Sequence, residues 1–511
     1  MTLIDVLHHH AKSRPKSVAF RIGEDVWTHE RLMADVERLA RGFAKRGLRE
    51  GSRVALHMAN LAELVVGYYA CFRIGAIAAP LNTRLKTAEL RALLERLQPA
   101  LYIGQTDLYR RIAAIDASII PSNARFIVGD AIDDRWAQPL TKLLEEGKGG
   151  PLRNPPDVHA PAVLLTTSGT TGRPKFVTHT QATLAASADA ARHLGLDDDH
   201  IAAIALPMAH GFGLFTFLAC IQFGAPVVLL ERFDPDAVLE AIERHQCTWL
   251  PAVPAMFAAL LERQRARGRN VHSLRMCMSS GDVCPPRLQE QFFALFGTRL
   301  RSFWGATEAA GSLTYGLESG PVSRIVKDAE VRLIDDSGAP VPKGDVGELA
   351  LRGPNVTIGY WARPGLIEDA PKDGWFRTGD LMRQGDNDDL WFVSRKKDVI
   401  IRGGLNISPA EIERVLMAHP AVLDAAVVGV PDAALGQQVA GFVQLERSTR
   451  GVILKEILAG VRALLADYKV PGSLEMVDEI PRNTLGKIDR KSLLAMISKP
   501  EGNNADRVAR V

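Results

Sequence analysis

The sequence has few cysteines, little net charge and no long uninterrupted apolar segment, and each scarcity excludes a class of protein. Its 511 residues include five cysteines, scattered and without a C-x-x-C pair, which argues against a disulfide framework or a zinc site and favours a reducing cytoplasm. Lysine and arginine number 62 against 59 acidic residues, a formal charge of +3, so no strong field would attract nucleic acid. The length predicts about two to four domains.

The most membrane-like segment is 201–230, which carries no Asp, Glu, Lys or Arg and would be long enough to span a bilayer. Pro207, Pro226 and three glycines interrupt it. Breakers at this frequency predict a strand, a buried helix and a second strand, with no membrane span.

Helical periodicity alternates with short apolar runs through the first 330 residues or so, which predicts a large α/β domain. Examples are a helix over 29–47 and a strand over 162–167. Short alternating strands over 329–334 and 347–352, separated by Gly, Pro and Asp turns, then predict a small β-rich subdomain.

The charge cluster SRKKD at 394–398 predicts a linker between an N-terminal domain, 1–396, and a smaller α+β domain, 397–511. A capping box at 408–411 predicts a helix that runs to about residue 418 in the second domain. The last stretch, 499–511, has little apolar content and is expected to be a frayed tail.

Residues 166–175 read TTSGTTGRPK, a predicted buried strand that opens into a loop rich in glycine and hydroxyl groups. Such a loop can cradle phosphate, because glycines let backbone N–H groups approach, hydroxyls donate and Lys175 supplies charge. The spacing is not that of a Walker loop, since Gly169 and Gly172 are too close together. Taken alone, the loop is equally compatible with a Ser/Thr-rich surface turn.

The complete string resembles the phosphate-loop signature of the adenylate-forming superfamily, which includes acyl-CoA synthetases, firefly luciferase and peptide-synthetase adenylation domains. Other signatures of that superfamily follow in the same order: LPMAH at 206–210, SSGDVC at 279–284, WGATE at 304–308, GWFRTGD at 374–380, SRKKD at 394–398 and PRNTLGK at 481–487. The resemblance implies an α/β fold with a large multi-layer N-terminal domain, a β-rich subdomain and a small mobile C-terminal domain.

The resemblance also implies that the chain binds ATP and Mg²⁺. Glu308 would coordinate Mg²⁺, and Thr307 would contact the α-phosphate. Trp304, where the family usually has tyrosine, would stack on adenine, and Asp380 with Arg395 would bind the ribose. The full implied nucleotide set is Thr167, Ser168, Gly169, Thr170, Thr171, Gly172, Lys175, Gly281, Asp282, Val283, Trp304, Gly305, Thr307, Asp380 and Arg395.

Lys487 resembles the lysine that bridges the substrate carboxylate and the α-phosphate during adenylation. Because a carboxylate that attacks a phosphate meets charge repulsion, cations are needed where the bond forms. The resulting acyl-AMP is an activated group ready for attack by a thiolate. By resemblance, Lys397 is the hinge about which the C-terminal domain turns, and Gly403 and Gly404 line the tunnel for the thiol arm of CoA. His210 would gate or orient the entering groups.

Amino-acid adenylation domains place an aspartate after the LPMAH region, whereas 211–220 here contain no acid. Only residues 488–511 follow Lys487, so free CoA is the expected acceptor rather than a fused carrier domain. The implied acyl pocket is apolar and suits an aromatic or short- to medium-chain acid. Its residues are Phe212, Gly213, Val253, Phe257, Ala309, Ala310 and Gly311.

The expected partners are a carboxylic acid, ATP and CoA, and a homodimer is compatible with the resemblance. Two alternatives remain at this stage. One is an acyl-adenylate enzyme with another acceptor, either a carrier protein or oxygen as in luciferase. The other is a non-catalytic nucleotide-binding protein, which would not need Lys487.

Some positions depart from the family pattern or stand apart from it. Phe176 replaces the glycine after the loop lysine, Ser394 replaces the glycine before Arg395, and Arg402 is uncommon before the glycine pair. A basic run at 263–269 is predicted to be a solvated helix end.

Overall fold

The structure, a computed structural model, describes residues 2–113, 115–129, 136–152, 156–167, 174–282, 284–315, 323–324, 329–386, 389–403, 405–432, 435–445, 454–483, 487–497 and 508–510. These residues form two nine-stranded sheets and a four-stranded sheet before residue 400, and a six-stranded sheet after it. The predicted α/β class, with a large N-terminal and a small C-terminal domain, is confirmed.

The first sheet supplies the strand ends that build the site. From edge to edge it consists of β16 (Ser323–Arg324), β15 (Gly311–Tyr315), β14 (Leu300–Ala306), β13 (Met276–Ser279), β12 (Trp249–Ala252), β10 (Ala202–Ile204), β11 (Val227–Leu229), β1 (Val18–Ile22) and β2 (Asp25–Thr28). Strands β10 to β14 pair in parallel. Their carboxyl ends therefore meet at one edge, where open α/β sheets bind ligands.

The second sheet carries the start and end of the phosphate loop. Its strands, from edge to edge, are β20 (Leu366–Glu368), β19 (Gly359–Arg363), β9 (Lys175–Thr180), β8 (Pro161–Thr167), β4 (Ile77–Pro80), β3 (Arg53–His57), β5 (Leu101–Gln105), β6 (Arg125–Val128) and β7 (Gln138–Pro139). Thr167 pairs with Lys175 across antiparallel β8 and β9. Strand β19 pairs with β9, which brings a segment from the later part of the chain beside this loop.

The third sheet is the predicted β-rich subdomain. It consists of β17 (Glu330–Ile334), β18 (Val346–Arg352), β21 (Phe376–Gln384) and β22 (Leu390–Arg395), all antiparallel. Its register places Asp380 opposite Arg395.

The fourth sheet forms the C-terminal domain. Its strands are β24 (Leu405–Ile407), β23 (Ile400–Arg402), β26 (Gly436–Leu445), β27 (Ser473–Val477) and β28 (Val508–Arg510), with β25 (Val422–Asp432) paired to β26. The prediction of a frayed tail is wrong at 508–510, because these residues pair antiparallel with β27. An edge strand offers unpaired N–H and C=O groups that even a short segment can satisfy.

Helices cover the sheets. They are α1 (Leu3–Ser13), α2 (His29–Lys45), α3 (Ala62–Ile74), α4 (Thr87–Leu97), α5 (Tyr109–Ala113), α6 (Leu140–Glu146), α7 (Gln181–Ala190), α8 (Gly211–Phe223), α9 (Pro235–His245), α10 (Pro254–Arg267), α11 (Pro286–Phe296), α12 (Pro409–Met417), α13 (Leu454–Leu464) and α14 (Arg490–Ile497). The segment 201–230 forms β10, α8 and β11, as predicted. Among the described residues, no helix is long and apolar enough to cross a membrane.

Each domain has apolar packing of its own. A large cluster that includes Phe20, Phe72 and Trp249 fills the N-terminal domain. A separate cluster around Ile412 and Val443 lies within the C-terminal domain. Since the two domains do not share one core, the contacts at their boundary determine the position of one domain relative to the other.

Candidate active site

Four strand ends of the first sheet place the predicted site residues at one edge. Strand β10 leads to His210 at the start of α8, and β12 ends just before Val253. Gly281 and Asp282 follow β13, and Thr307 and Glu308 follow β14. Gly281 has φ +91°, a left-handed conformation that favours glycine. The motifs are distant in sequence, and the parallel pairing gathers them.

Lys487 reaches this edge from the C-terminal domain. Burial lowers the pKa of Lys487 to about 8, and the Arg395 guanidinium acts in the same direction. Three nearby carboxylates oppose that shift in pKa: Asp282, Asp380 and Glu308. The ammonium of Lys487 therefore lies among charged groups contributed by four separate motifs.

Asp380 is held by two donors in a largely buried position. The Trp304 indole N–H donates to its Oδ2 at 2.8 Å, and Arg395 Nε lies 3.4 Å from its Oδ1. The preceding residue of β21 is held by Glu348, which accepts a hydrogen bond from the Gly379 N–H at 3.1 Å. Trp304 therefore orients this carboxylate, a contact beyond the adenine stacking that the sequence suggested.

Tyr360 joins the phosphate-loop lysine to Glu308. Its hydroxyl donates to Glu308 Oε1 at 3.0 Å, and Lys175 Nζ lies 4.3 Å from the centre of its ring. Burial raises the pKa of Tyr360, and so does Glu308, so the phenol stays a proton donor. Lys175 also pairs with Asp369 at 3.0 Å on the exposed side.

The backbone that carries Glu308 is held by buried groups. His179 Nε2 lies 2.7 Å from the Thr307 carbonyl oxygen. Burial lowers the pKa of His179 to about 4, so the neutral ring donates to that carbonyl. Asn355 Nδ2 donates to the carbonyl of Ala309 at 2.7 Å. Ala310 has φ +44°, a costly conformation for a non-glycine residue that such surrounding bonds can maintain.

His210 is a half-buried imidazole beside the implied acyl pocket. Burial lowers the pKa of His210 to about 4, helped by the positive charges of Arg84 and Lys487, so this imidazole is neutral near pH 7. Phe212 and Val253 are half-buried. Phe257 is fully buried, and its ring packs edge-on to Phe292 at a centroid distance of 5.1 Å.

The small residues of the implied pocket differ in their surroundings. A Cβ added at Gly213 would lie 2.5 Å from the Pro207 carbonyl oxygen, so close backbone packing requires glycine there. Ala309 and Ala310 are fully buried. Gly305 lies within β14, and Gly311 begins β15.

The remaining predicted residues fall into two groups. Lys397 is exposed in the 3-10 helix Lys396–Asp398, and Gly403, with φ +55°, turns between β23 and β24. Seven residues lie outside those that the structure describes: Ser168, Gly169, Thr170, Thr171, Gly172, Val283 and Gly404.

Two of the residues that depart from the family pattern have clear structural surroundings. Phe176 is fully buried in β9, and Arg402 donates to the Tyr468 carbonyl at 2.7 Å. Arg263 and Arg269, from the basic run, pair with acids of α9 at 3.0 Å and 2.8 Å. The run lies at the end of α10, as predicted, but these two arginines are ion-paired and not simply solvated.

Sequence reasoning missed Tyr360, His179 and Arg482. Tyr360 lies 52 residues from Glu308 and reaches it only because β19 pairs with β9. No local pattern in the sequence signals that pairing. Arg482 belongs to a recognised motif, but its partner Asp282, at 3.2 Å, lies in the other domain.

Comparison with known proteins adds independent observations. The model of the AMP-binding enzyme family matches residues 7–361, and that of the AMP-binding enzyme C-terminal domain matches 411–487. The indoleacetate–CoA ligase of Aromatoleum aromaticum is 32% identical over 98% of this chain and 99% of its own length. A feruloyl-CoA synthase from Amycolatopsis is 34% identical, covering 94% and 95%. The ATP-bound crystal structure of MatB from Rhodopseudomonas palustris superposes with a TM-score of 0.87 at 28% identity, covering 97% of this chain and 99% of that one.

Proposed function

The chain belongs to the AMP-binding enzyme family, and from this membership we propose that it activates an aromatic or short- to medium-chain carboxylic acid. It is an AMP-forming carboxylate–CoA ligase, which converts an acid and ATP to acyl-AMP and pyrophosphate and then transfers the acyl group to CoA. Two relatives are named for aromatic acids, indoleacetate and ferulate. Half-buried Phe212 and Val253, with a neutral His210, support an uncharged acyl group of that kind.

The observation that carries the mechanism is the position of Lys487 among Arg395, Asp380 and Glu308. In adenylation, a carboxylate oxygen of the acid attacks the α-phosphorus, the bond to the β-phosphate bridge breaks, and pyrophosphate leaves. Protonated Lys487 would lie between the attacking carboxylate and the α-phosphate and reduce their repulsion. A preorganised charge of this kind typically contributes about 10² to 10³ in rate.

The described residues fit a Mg²⁺ ion held partly by the nucleotide. Among them, no group of three or more His, Cys, Asp or Glu side chains could enclose a metal. Mg²⁺ is commonly bound through one or two carboxylates plus substrate phosphates, and Glu308 supplies such an oxygen. When bound, Mg²⁺ would neutralise phosphate charge. Tyr360 would orient the Glu308 carboxylate through its 3.0 Å hydrogen bond.

The nucleotide would be held from both ends. Asp380 offers two carboxylate oxygens that can accept both ribose hydroxyls, and Trp304 and Arg395 keep this side chain in place. Lys175, at the end of the phosphate loop, would contact the β- and γ-phosphates, while Thr307 would donate to the α-phosphate. The acid is thereby placed at one end of a fixed nucleotide.

The second half-reaction would use a different placement of the C-terminal domain. We place the domain boundary between 396 and 397, with exposed Lys397 as the hinge. Rotation would withdraw Lys487 and bring the turn at Gly403 to the site, where the absent side chain leaves space for the thiol arm of CoA. The thiolate would then attack the acyl carbonyl and AMP would leave. Neutral His210 would orient the entering groups.

Substrate class is tested by measuring pyrophosphate and AMP from purified protein with Mg·ATP and a panel of acids, each with and without CoA. The panel includes aryl, short-, medium- and long-chain acids and dicarboxylic acids, with Lys487→Ala as the control. The proposal predicts that an aryl or short- to medium-chain acid has the highest kcat/KM. Preference for a long-chain or dicarboxylic acid would contradict the proposed substrate class.

A further inference from the structure

Arg482 bridges the two domains with one guanidinium group. Its Nη1 lies 3.2 Å from Asp282 Oδ2, and its Nη2 lies 2.6 Å from Asp424 Oδ2. Asp282 follows β13 in the N-terminal domain, whereas Asp424 lies on β25 in the C-terminal domain. Because Asp424 fixes one side of the guanidinium, the other side points to Asp282 without a further loss of side-chain freedom.

Arg482 and Lys487 are close in the sequence, and hydrogen bonds between the described residues couple their positions. Arg482 forms an antiparallel bridge with Ile488, the residue directly after Lys487. The Asn483 N–H donates to the Lys487 carbonyl at 2.8 Å, and the Lys487 N–H donates to Asn483 Oδ1 at 3.1 Å. Anchoring Arg482 to the N-terminal domain therefore also fixes the backbone that carries the Lys487 ammonium.

Removing the guanidinium would leave acids facing each other across the boundary. Burial raises the pKa of Asp424, Arg482 opposes this, and the charge of Asp282 adds to the rise. Burial likewise raises the pKa of Glu413 to about 7, and Asp282 and Asp424 contribute to that rise, whereas Arg490, paired with Glu413 at 2.8 Å, opposes it. These three carboxylates are close enough to interact, and only Asp282 belongs to the N-terminal domain. Without Arg482, their repulsion would favour separation of the domains.

We propose that Arg482 is a positioning residue that latches the C-terminal domain in the arrangement used for adenylation and plays no part in thioester formation. The inference rests on the proposed alternation between two domain placements. In the second placement Lys487 withdraws, so the contact between Arg482 and Asp282 must break. The latch therefore has to be strong enough to align Lys487 and weak enough to release, and a quarter-exposed ion pair meets both requirements.

The two half-reactions can be measured separately in the full-length protein. Acyl-AMP formation is followed by pyrophosphate release in a single turnover without CoA, and thioester formation is followed by adding CoA to supplied acyl-AMP. Arg482→Met should slow the first reaction about tenfold or more, the scale of an interfacial charge pair. It should leave the second unchanged, which also shows that the variant is folded. Arg482→Lys should recover part of the loss, because an ammonium keeps the charge without the two-sided geometry.

Two further variants test whether Asp282 is the partner of Arg482 and whether the loss of adenylation is specific to Arg482. Asp282→Asn should slow adenylation. The double variant should be no slower than Arg482→Met alone, because both substitutions remove the same interaction. Arg462→Met removes an exposed arginine of α13 in the same domain and should change neither half-reaction.

Two results would overturn the proposed latch. One is an equal loss of rate in both half-reactions of Arg482→Met. The other is adenylation by Arg482→Met at the same rate as adenylation by Arg462→Met. Lys487→Ala separates this failure from failure of the proposed function. If Lys487→Ala loses adenylation alone while Arg482→Met shows no such split, only the latch is wrong. If Lys487→Ala keeps full adenylation activity, the proposed role of the C-terminal domain is wrong as well.

Discussion

Raising the pH should slow adenylation but not thioester formation, because Lys487 must carry a proton to bridge the two anions that meet in adenylation. Burial and Arg395 lower the pKa of Lys487 to about 8, so the folded enzyme loses this charge well below the usual lysine range. For a group with that pKa, the protonated fraction is about nine-tenths at pH 7 and about one-tenth at pH 9. The kcat/KM for acyl-AMP formation, which reports the free enzyme, should therefore fall about tenfold across that interval.

The assay is pyrophosphate release without CoA, measured at subsaturating acid from pH 6.5 to pH 10. Thioester formation from supplied acyl-AMP should rise over the same range, because the thiolate is the nucleophile. Lys487→Arg is the matched variant: its guanidinium stays charged throughout, so the fall should disappear whatever its absolute rate. A wild-type kcat/KM that stays flat between pH 7 and pH 10, or a fall retained by Lys487→Arg, would refute this assignment.

Three substitutions test other contacts. Trp304→Phe removes the N–H donor to Asp380 and should raise the KM for ATP about tenfold in steady-state assays; an unchanged KM would contradict the orienting role. Tyr360→Phe removes the hydroxyl donor to the proposed Mg²⁺ carboxylate and should increase the Mg²⁺ concentration needed for half-maximal adenylation. Gly213→Ala places a Cβ 2.5 Å from a backbone carbonyl, so thermal unfolding should show Tm lowered by about 1 to 4 °C. Exposed Gly460→Ala, which meets nothing within 4 Å, should not lower Tm.

Those parts of the fold and site that follow from the local order of strands and motifs, and from parallel pairing, could be predicted from the sequence. Glu308 is the second residue after the end of β14, and Gly281 is the second residue after the end of β13. Recognising each strand and its motif was therefore enough to place both residues at one edge of the sheet. The strand–helix–strand order of 201–230 followed from its breakers. The separate, smaller final domain was likewise visible in composition, while the boundary within SRKKD stays a prediction.

Contacts between distant segments could not be predicted in the same way. The pairing of β19 with β9, which brings Tyr360 to Glu308, depends on which sheet edge is open, and this is a property of the assembled domain. Arg482 is one charged residue in a polar loop, and nothing near it in the sequence marks Asp282 as its partner. The pairing of β28 with β27 was missed for the same reason, since the tail has a polar composition but finds an open edge.

Ligase activity through acyl-AMP is tested most simply by a product balance in a single turnover with the preferred acid. Purified protein, acid and Mg·ATP are mixed without CoA, and the products are identified by mass spectrometry before and after CoA is added. A CoA ligase that works through acyl-AMP should give acyl-AMP and pyrophosphate in equal amounts first, followed by conversion of all acyl-AMP to acyl-CoA and AMP. Formation of ADP and an acyl phosphate, or acyl-AMP that CoA leaves unchanged, would contradict this activity.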